Sequence, residues 1–160
     1  MNKELDQGFT LIEVLAALAL FGFLMAGLMS VFWCGFYGYE KEVNQSELQY
    51  DVRQARYRII DDFRQSRTFV IKDKDRKEVT GNSEGVRLYL VKDSEEIEFY
   101  VYNNQLYRAI LSSHTVHPVA SNISAITFAS PGAGLLELNI TAALAGHELK
   151  TGTTCRKRID

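Results

Sequence analysis

The chain has 160 residues, 46% of them hydrophobic, and 18 Lys and Arg set against 20 Asp and Glu give a net charge of −2. That length allows one modest domain beside any membrane segment, and the charge balance argues against a globally basic nucleic-acid binder. Cys34, in an apolar run, and Cys155, near the end, do not make a disulfide framework.

The first predicted element opens at the stretch GFTLIEVLAAL, Gly8 to Leu18. Glu13 stands at the head of a long apolar run. From Val14 to Tyr39 the only ionisable side chains are Cys34, Tyr37 and Tyr39. The run exceeds the roughly 20 apolar residues that cross a bilayer as a helix. A carboxylate in such a helix costs about 2.5–3.5 kcal/mol at mid-membrane and less near the interface. A passive anchor gains nothing from that cost, so Glu13 needs a partner. Cys34 is expected to act as a small buried hydrophobe. An ordinary signal anchor or a secretory signal peptide is the plainer alternative. The run is too long for a signal-peptide apolar region of about 7–15 residues, and its far end, SVFWCGFYGY, is too bulky.

The GFTLIEVLAAL motif resembles the prepilin signature of type IV pilins and type II secretion pseudopilins. The resemblance implies that a membrane-bound prepilin peptidase cuts after Gly8 and that the new terminal amine, on Phe9, is methylated. Residues 1–8 would be a cytoplasmic leader, 9–39 a transmembrane and assembly helix, and 40–160 an extracytoplasmic pilin-like domain. Thr10, Leu11 and Ile12 fill the pattern before Glu13. Glu13 would meet the free amine of a neighbouring subunit inside the fibre, where opposite charges attract far more strongly than in water. Within its own helix it also lies near the positive end of the macrodipole. The implied partners are the peptidase, other pilin or pseudopilin subunits, the assembly platform, and membrane lipid before assembly. The implied location is the bacterial cytoplasmic membrane, crossed once, and then the fibre. The leader MNKELDQG carries only Lys3 against Glu4 and Asp6, whereas family leaders are usually basic. The run also lacks the mid-helix proline of many major pilins, since the only prolines are Pro118 and Pro131. The chain looks more like a minor subunit.

The helix is expected to continue past the apolar run. Glu40 to Ser66 holds no Gly or Pro and is rich in good helix formers. Leu48, Val52, Ala55, Ile59 and Phe63 recur at spacings of four and three, which marks one apolar face. Arg58 and Asp62 stand four apart and can pair. Gly22, Gly27, Gly35 and Gly38 are the places where the helix could bend.

After Ser66 the period changes to two. Thr68 to Ile71 is a short predicted strand, and Lys72 to Gly85 a charged loop or irregular hairpin. Val86–Val91 and Ile97–Tyr102 alternate around a turn-like KDSEE, and Asn103-Asn104 returns Gln105–Leu111 as a third strand. His114 to Asn122 reads as a break at Pro118. Ile123–Phe128, Leu135–Leu144 and Glu148–Cys155 follow as strands. The expected fold class is α+β, one long helix packed by its second half on an antiparallel sheet.

No phosphate-binding glycine loop, nucleophile elbow or H-E-x-x-H metal motif is present, so no enzyme chemistry is expected. His114 and His117 form an H-x-x-H without a further ligand at a suitable spacing, and His147 stands alone; both read as exposed connections. Arg53, Arg56, Arg58, Arg64 and Arg67, with Arg156 to Arg158, offer a basic surface that can touch DNA, as some competence pilins do. Asp61, Asp62 and Asp160 dilute it, so a solvated face is the simpler reading. Phe99, Tyr100, Tyr102 and Tyr107 read as sheet packing rather than a stacking platform.

The expected role is therefore a minor pilin or pseudopilin subunit, similar to the J/W-type minor subunits that lie at the fibre tip. Type II secretion, the type IV pilus and competence DNA uptake all share the signature. The alternative is a single-span membrane protein whose β-rich domain binds a ligand or DNA without polymerising.

Overall fold

The computed structural model describes residues 10–79 and 83–157. Within them a long helix, α1 (Leu11–Gln65), precedes the strands β1 (Thr68–Lys72), β2 (Glu78–Val79), β3 (Arg87–Lys92), β4 (Glu95–Tyr102) and β5 (Gln105–Ile110). Four more complete the order: β6 (Thr115–Ala120), β7 (Ile123–Ala129), β8 (Leu135–Leu144) and β9 (His147–Arg156). The architecture is α+β, as the change of period predicts.

The chain forms two compact units, one ending at Val43 and the other beginning at Asn44. In the first, α1 runs unbroken through Gly22, Gly27, Gly35 and Gly38. Every residue from Thr10 to Val43 is exposed, Phe23 to 78%. Cys34 is exposed as well, against the expectation of a buried hydrophobe, because within this first unit α1 has no second described element to pack against. An 18-residue window of α1 reaches a mean hydropathy of 2.4, enough by length and composition to cross a membrane.

In the second unit the remainder of α1 is amphipathic. Leu48, Val52, Ala55, Ile59 and Phe63 are all buried, which is the face their spacing predicts. The helix ends where Ser66 folds back, its hydroxyl donating to the Phe63 carbonyl at 2.7 Å. The strands form two antiparallel sheets rather than the single one expected. The first has the order β2-β1-β3-β4-β5-β6 and the second β7-β8-β9. Asn122, in the left-handed region at φ 57, turns the chain out of the first sheet, and β7 then pairs forward with β8. Gly85 and Phe128 exchange two backbone hydrogen bonds of 2.8 Å and tie the sheets together. A side chain at Gly85 would stand 2.6 Å from the Lys72 carbonyl oxygen, so only glycine allows this approach.

One core joins the three layers. Leu88, Leu90, Ile97, Phe99 and Leu106 come from the first sheet, and Ile126, Phe128, Leu136, Leu138 and Ile140 from the second. Each large side chain buried against α1 contributes on the order of 1.5–3 kcal/mol before the opposing entropy.

The segment His114–Asn122 departs from its sequence reading. It is not a break but contains a strand, β6, which pairs with β5. Pro118 fits because β6 lies at the sheet edge, where a missing N–H leaves no ladder bond unmade, and because the register shifts between Leu106 and Tyr107.

Candidate functional site

The predicted cleavage and methylation positions, Gly8 and Phe9, lie outside the described residues. The third, Glu13, falls in the first turn of α1. Its Oε2 accepts hydrogen bonds of 2.9 Å from both the backbone N–H and the hydroxyl of Thr10. The Glu13 N–H donates back to the Thr10 hydroxyl oxygen at 3.4 Å. This reciprocal pairing is a capping box, with Thr10 at the N-cap and Glu13 three residues on. The T-x-x-E spacing that encodes it is visible in the sequence, and reading Glu13 only as a membrane carboxylate missed it.

The geometry holds the carboxylate at the helix start with one oxygen engaged. Oε1 has no partner among the described residues and can accept a donor from outside the chain. A shallow hollow beside it, lined by Val14, Ala17, Leu18 and Phe21, leaves apolar surface for a neighbouring helix. Glu13 thus holds the cap through one carboxylate oxygen while the other stays open.

The second unit contains an ion-pair centre that spacing revealed only in part. Arg58 and Asp62 do approach, Nε to Oδ2 at 3.4 Å. Asp62 is also bound far more closely by Arg108 of β5, whose Nε donates to the same oxygen at 2.7 Å. The Asp62 side chain is 1% exposed and that of Arg108 9%. A pairing between residues 62 and 108 leaves no periodic trace, so Arg108 carried no sequence signal beyond a charge inside an alternating strand. Asp51 is likewise buried on α1, and accepts a hydrogen bond from the Asn122 amide at 2.8 Å.

On the other face of the first sheet, Arg87 and Tyr89 both donate to Oε1 of buried Glu98, the tyrosine at 2.8 Å. Burial of Arg87 works against its charge, yet the hydrogen bond and attraction from Glu98 carry its pKa upward. Burial pushes the Tyr89 phenol up, and Glu98 adds to the rise. Tyr100 and Tyr107 stack beside this group with ring centres 5.7 Å apart. Phe99 points the other way into the core, and Tyr102 is exposed, so the four aromatics do not form one platform.

The basic residues scatter. Arg53, Arg56 and Arg64 line a hollow with Asp61 and Thr153, while Arg67 reaches Asp93 at 3.6 Å on the surface. Arg58 belongs to the Asp62 pair, Arg156 is exposed, and Arg158 lies outside the described residues. His114 sits in a left-handed turn at φ 53, and His117 is exposed on β6. His147 begins β9. Among the described residues no group of three or more His, Cys, Asp or Glu could hold a metal ion.

Comparison with known families places a signal at the start of the chain. Residues 5–29 match the family model described as the prokaryotic N-terminal methylation motif, the type IV prepilin-like signal. The match takes in Gly8, Phe9 and Glu13 and ends within the apolar part of α1. No curated protein and no solved structure matches the chain.

Proposed function

We propose that this chain is a minor pilin or pseudopilin subunit. The prepilin peptidase cuts it between Gly8 and Phe9 and the new Phe9 amine is methylated. Residues 9–39 hold it in the bacterial cytoplasmic membrane, with residues 40–160 on the extracytoplasmic side. It then joins other subunits, through the assembly platform, at the tip of a type IV pilus or type II secretion pseudopilus. Its role there is structural.

One observation carries this reading. The methylation motif coincides with a carboxylate fixed at the first turn of an apolar helix whose side chains are exposed on every side up to Val43. A large unpartnered apolar surface marks contact with lipid or with other helices. A carboxylate with a free oxygen at its head supplies the polar contact that sets which helices dock.

The test is mass spectrometry of the mature protein. An N-methylated phenylalanine corresponding to Phe9 is expected at the start of the chain, and Gly8→Val should leave full-length protein in the membrane. A mature terminus elsewhere, or one unchanged when the peptidase is deleted, refutes the reading. Under the alternative of a non-polymerising membrane protein that binds DNA, the hollow lined by Arg53, Arg56 and Arg64 is the surface that would serve.

A further inference from the structure

The strongest unassigned feature is the open side of the Asp62 ion pair. Arg108 spends only its Nε on Asp62, and its two terminal nitrogens have no hydrogen-bond partner among the described residues. Its side chain is nevertheless only 9% exposed. No buried side-chain nitrogen or oxygen among the described residues is left unsatisfied, so those nitrogens reach solvent. They reach it through a cavity of about 310 Å³ between α1 and strands β5 and β6. Gln54, Tyr57 and Arg58 line it from the helix, His117 and Pro118 from the edge strand, and Arg108 from below. The lining has donors from five side chains and no carboxylate of its own.

We infer that this cavity binds a carboxylate, held by Arg108 and Arg58 and contacted by His117. Charge selects the class of ligand. Two guanidinium groups face one carboxylate, Asp62, so these three groups together keep one net positive charge, which a single monoanionic carboxylate neutralises. A dianionic phosphate would leave a negative charge beside the buried Asp62, where like charges repel strongly. Geometry agrees, since the planar guanidinium presents paired donors that match the two oxygens of a carboxylate. Pro118 supplies an apolar wall for the carbon atoms that carry it. The source is a free small carboxylate or an acidic side chain on a protein, and size discrimination separates the two. The inference is independent of fibre assembly.

The experiment uses the full chain in dodecyl maltoside, labelled with 15N-arginine, following the Arg108 Nε–H signal at constant ionic strength and about pH 7.5, where phosphate esters and phosphate are mostly dianionic. Sodium acetate, a terminally blocked Gly-Glu-Gly peptide and sodium phosphate are each titrated against sodium chloride. Saturable shifts with acetate and the peptide are expected. Binding of the peptide at least tenfold tighter than acetate assigns the site to an acidic side chain of a protein, and equal binding assigns it to a free carboxylate. Arg58→Gln, a change at a half-exposed position, should weaken carboxylate binding about tenfold by removing one charged donor. Arg53→Gln, in a separate hollow, should leave it unchanged. Phosphate saturating at a lower concentration than either carboxylate overturns the charge match. No saturable shift with any anion, or Arg58→Gln binding as tightly as the parent, overturns the site.

Discussion

Replacing Asp62 by alanine removes the carboxylate that, among the described residues, alone pairs with the nearly buried guanidinium of Arg108. The Arg108 side chain is 9% exposed and its Nε lies 2.7 Å from Asp62, so the arginine is left in the interior with Arg58, a second cation, nearby. Breaking a buried pair from one side costs about 3–5 kcal/mol, because the surviving charge has lost its partner; solvent reaching the terminal nitrogens of Arg108 sets the loss at the lower end of that range. A domain of this kind is stable by roughly 5–15 kcal/mol in total, so Asp62→Ala should forfeit a large share of that margin. The double change Asp62→Leu with Arg108→Met leaves no charge stranded in the interior, since Arg58 is half-exposed, and should recover most of the loss, with the result near neutral or better than the parent. Urea denaturation followed by circular dichroism, with the chain held in a neutral detergent, reads both midpoints. An Asp62→Ala cost below about 1 kcal/mol would mean that the pair behaves as an exposed one. A double variant as unstable as the single one would show that the loss comes from packing and not from an orphaned charge.

Other substitutions test the remaining parts of the structure. Ile59→Asp places a charge at a fully buried position and should unfold the second unit, whereas Arg56→Asp, outside the buried stripe, should stay within about 0.5 kcal/mol of the parent in the same denaturation assay. A chain beginning near Glu40 keeps all five core residues of α1 and should be soluble, cooperatively folded and mixed α/β by circular dichroism. Burial pushes the Cys155 thiol up, against a smaller downward pull from Arg64, and burial and Glu98 push up the Tyr89 phenol. Groups with raised folded-state pKa values add stability below their unfolded pKa values, so it should fade with rising pH, first above about 8.5 from Cys155 and then above about 10 from Tyr89. Unfolding scans of Cys155→Ala and Tyr89→Phe against pH check this: each variant should lose its own share of the alkaline decline. Glu13→Ala removes a charge from the apolar run, so membrane insertion should persist while fibre formation fails; a fractionated, processed variant that still assembles normally would show that Glu13 has no partner.

The sequence made legible whatever repeats with a short period. The stripe Leu48, Val52, Ala55, Ile59, Phe63 predicted its own burial because 3.6-residue spacing maps directly onto one side of a helix. Leu135–Leu144 kept its predicted bounds because its burial alternates from Leu135 through Ala143. Strand β6 was hidden by Pro118, since proline excludes a central strand but not an edge, and edge position depends on the order of the sheet. Arg108 and the second sheet were hidden for the same reason: they depend on which distant strands meet. At Glu13 the carboxylate stood out by its isolation, but its Thr10 cap did not, because a capping box matters only once the helix start is fixed.

The helix also shows why its two parts must be read separately. Over Leu11–Gln65 as a whole the apolar residues favour no side, which by itself would describe a helix with no packing face. Up to Val43 that is accurate, because the apolar side chains occupy every side and all are exposed. Such a helix is stable only in lipid or among other helices, since water would meet apolar surface all around it. From Asn44 onward the same backbone carries charge on one side and buried apolar groups on the other. There the partners are the protein's own sheets. Glu13 belongs to the first regime and Asp62 to the second, and both are acidic groups on α1. Asp62 finds its cation within the chain, in Arg108. Glu13 has a capping partner within the chain and no cation among the described residues, and in the proposed fibre a second subunit would supply one.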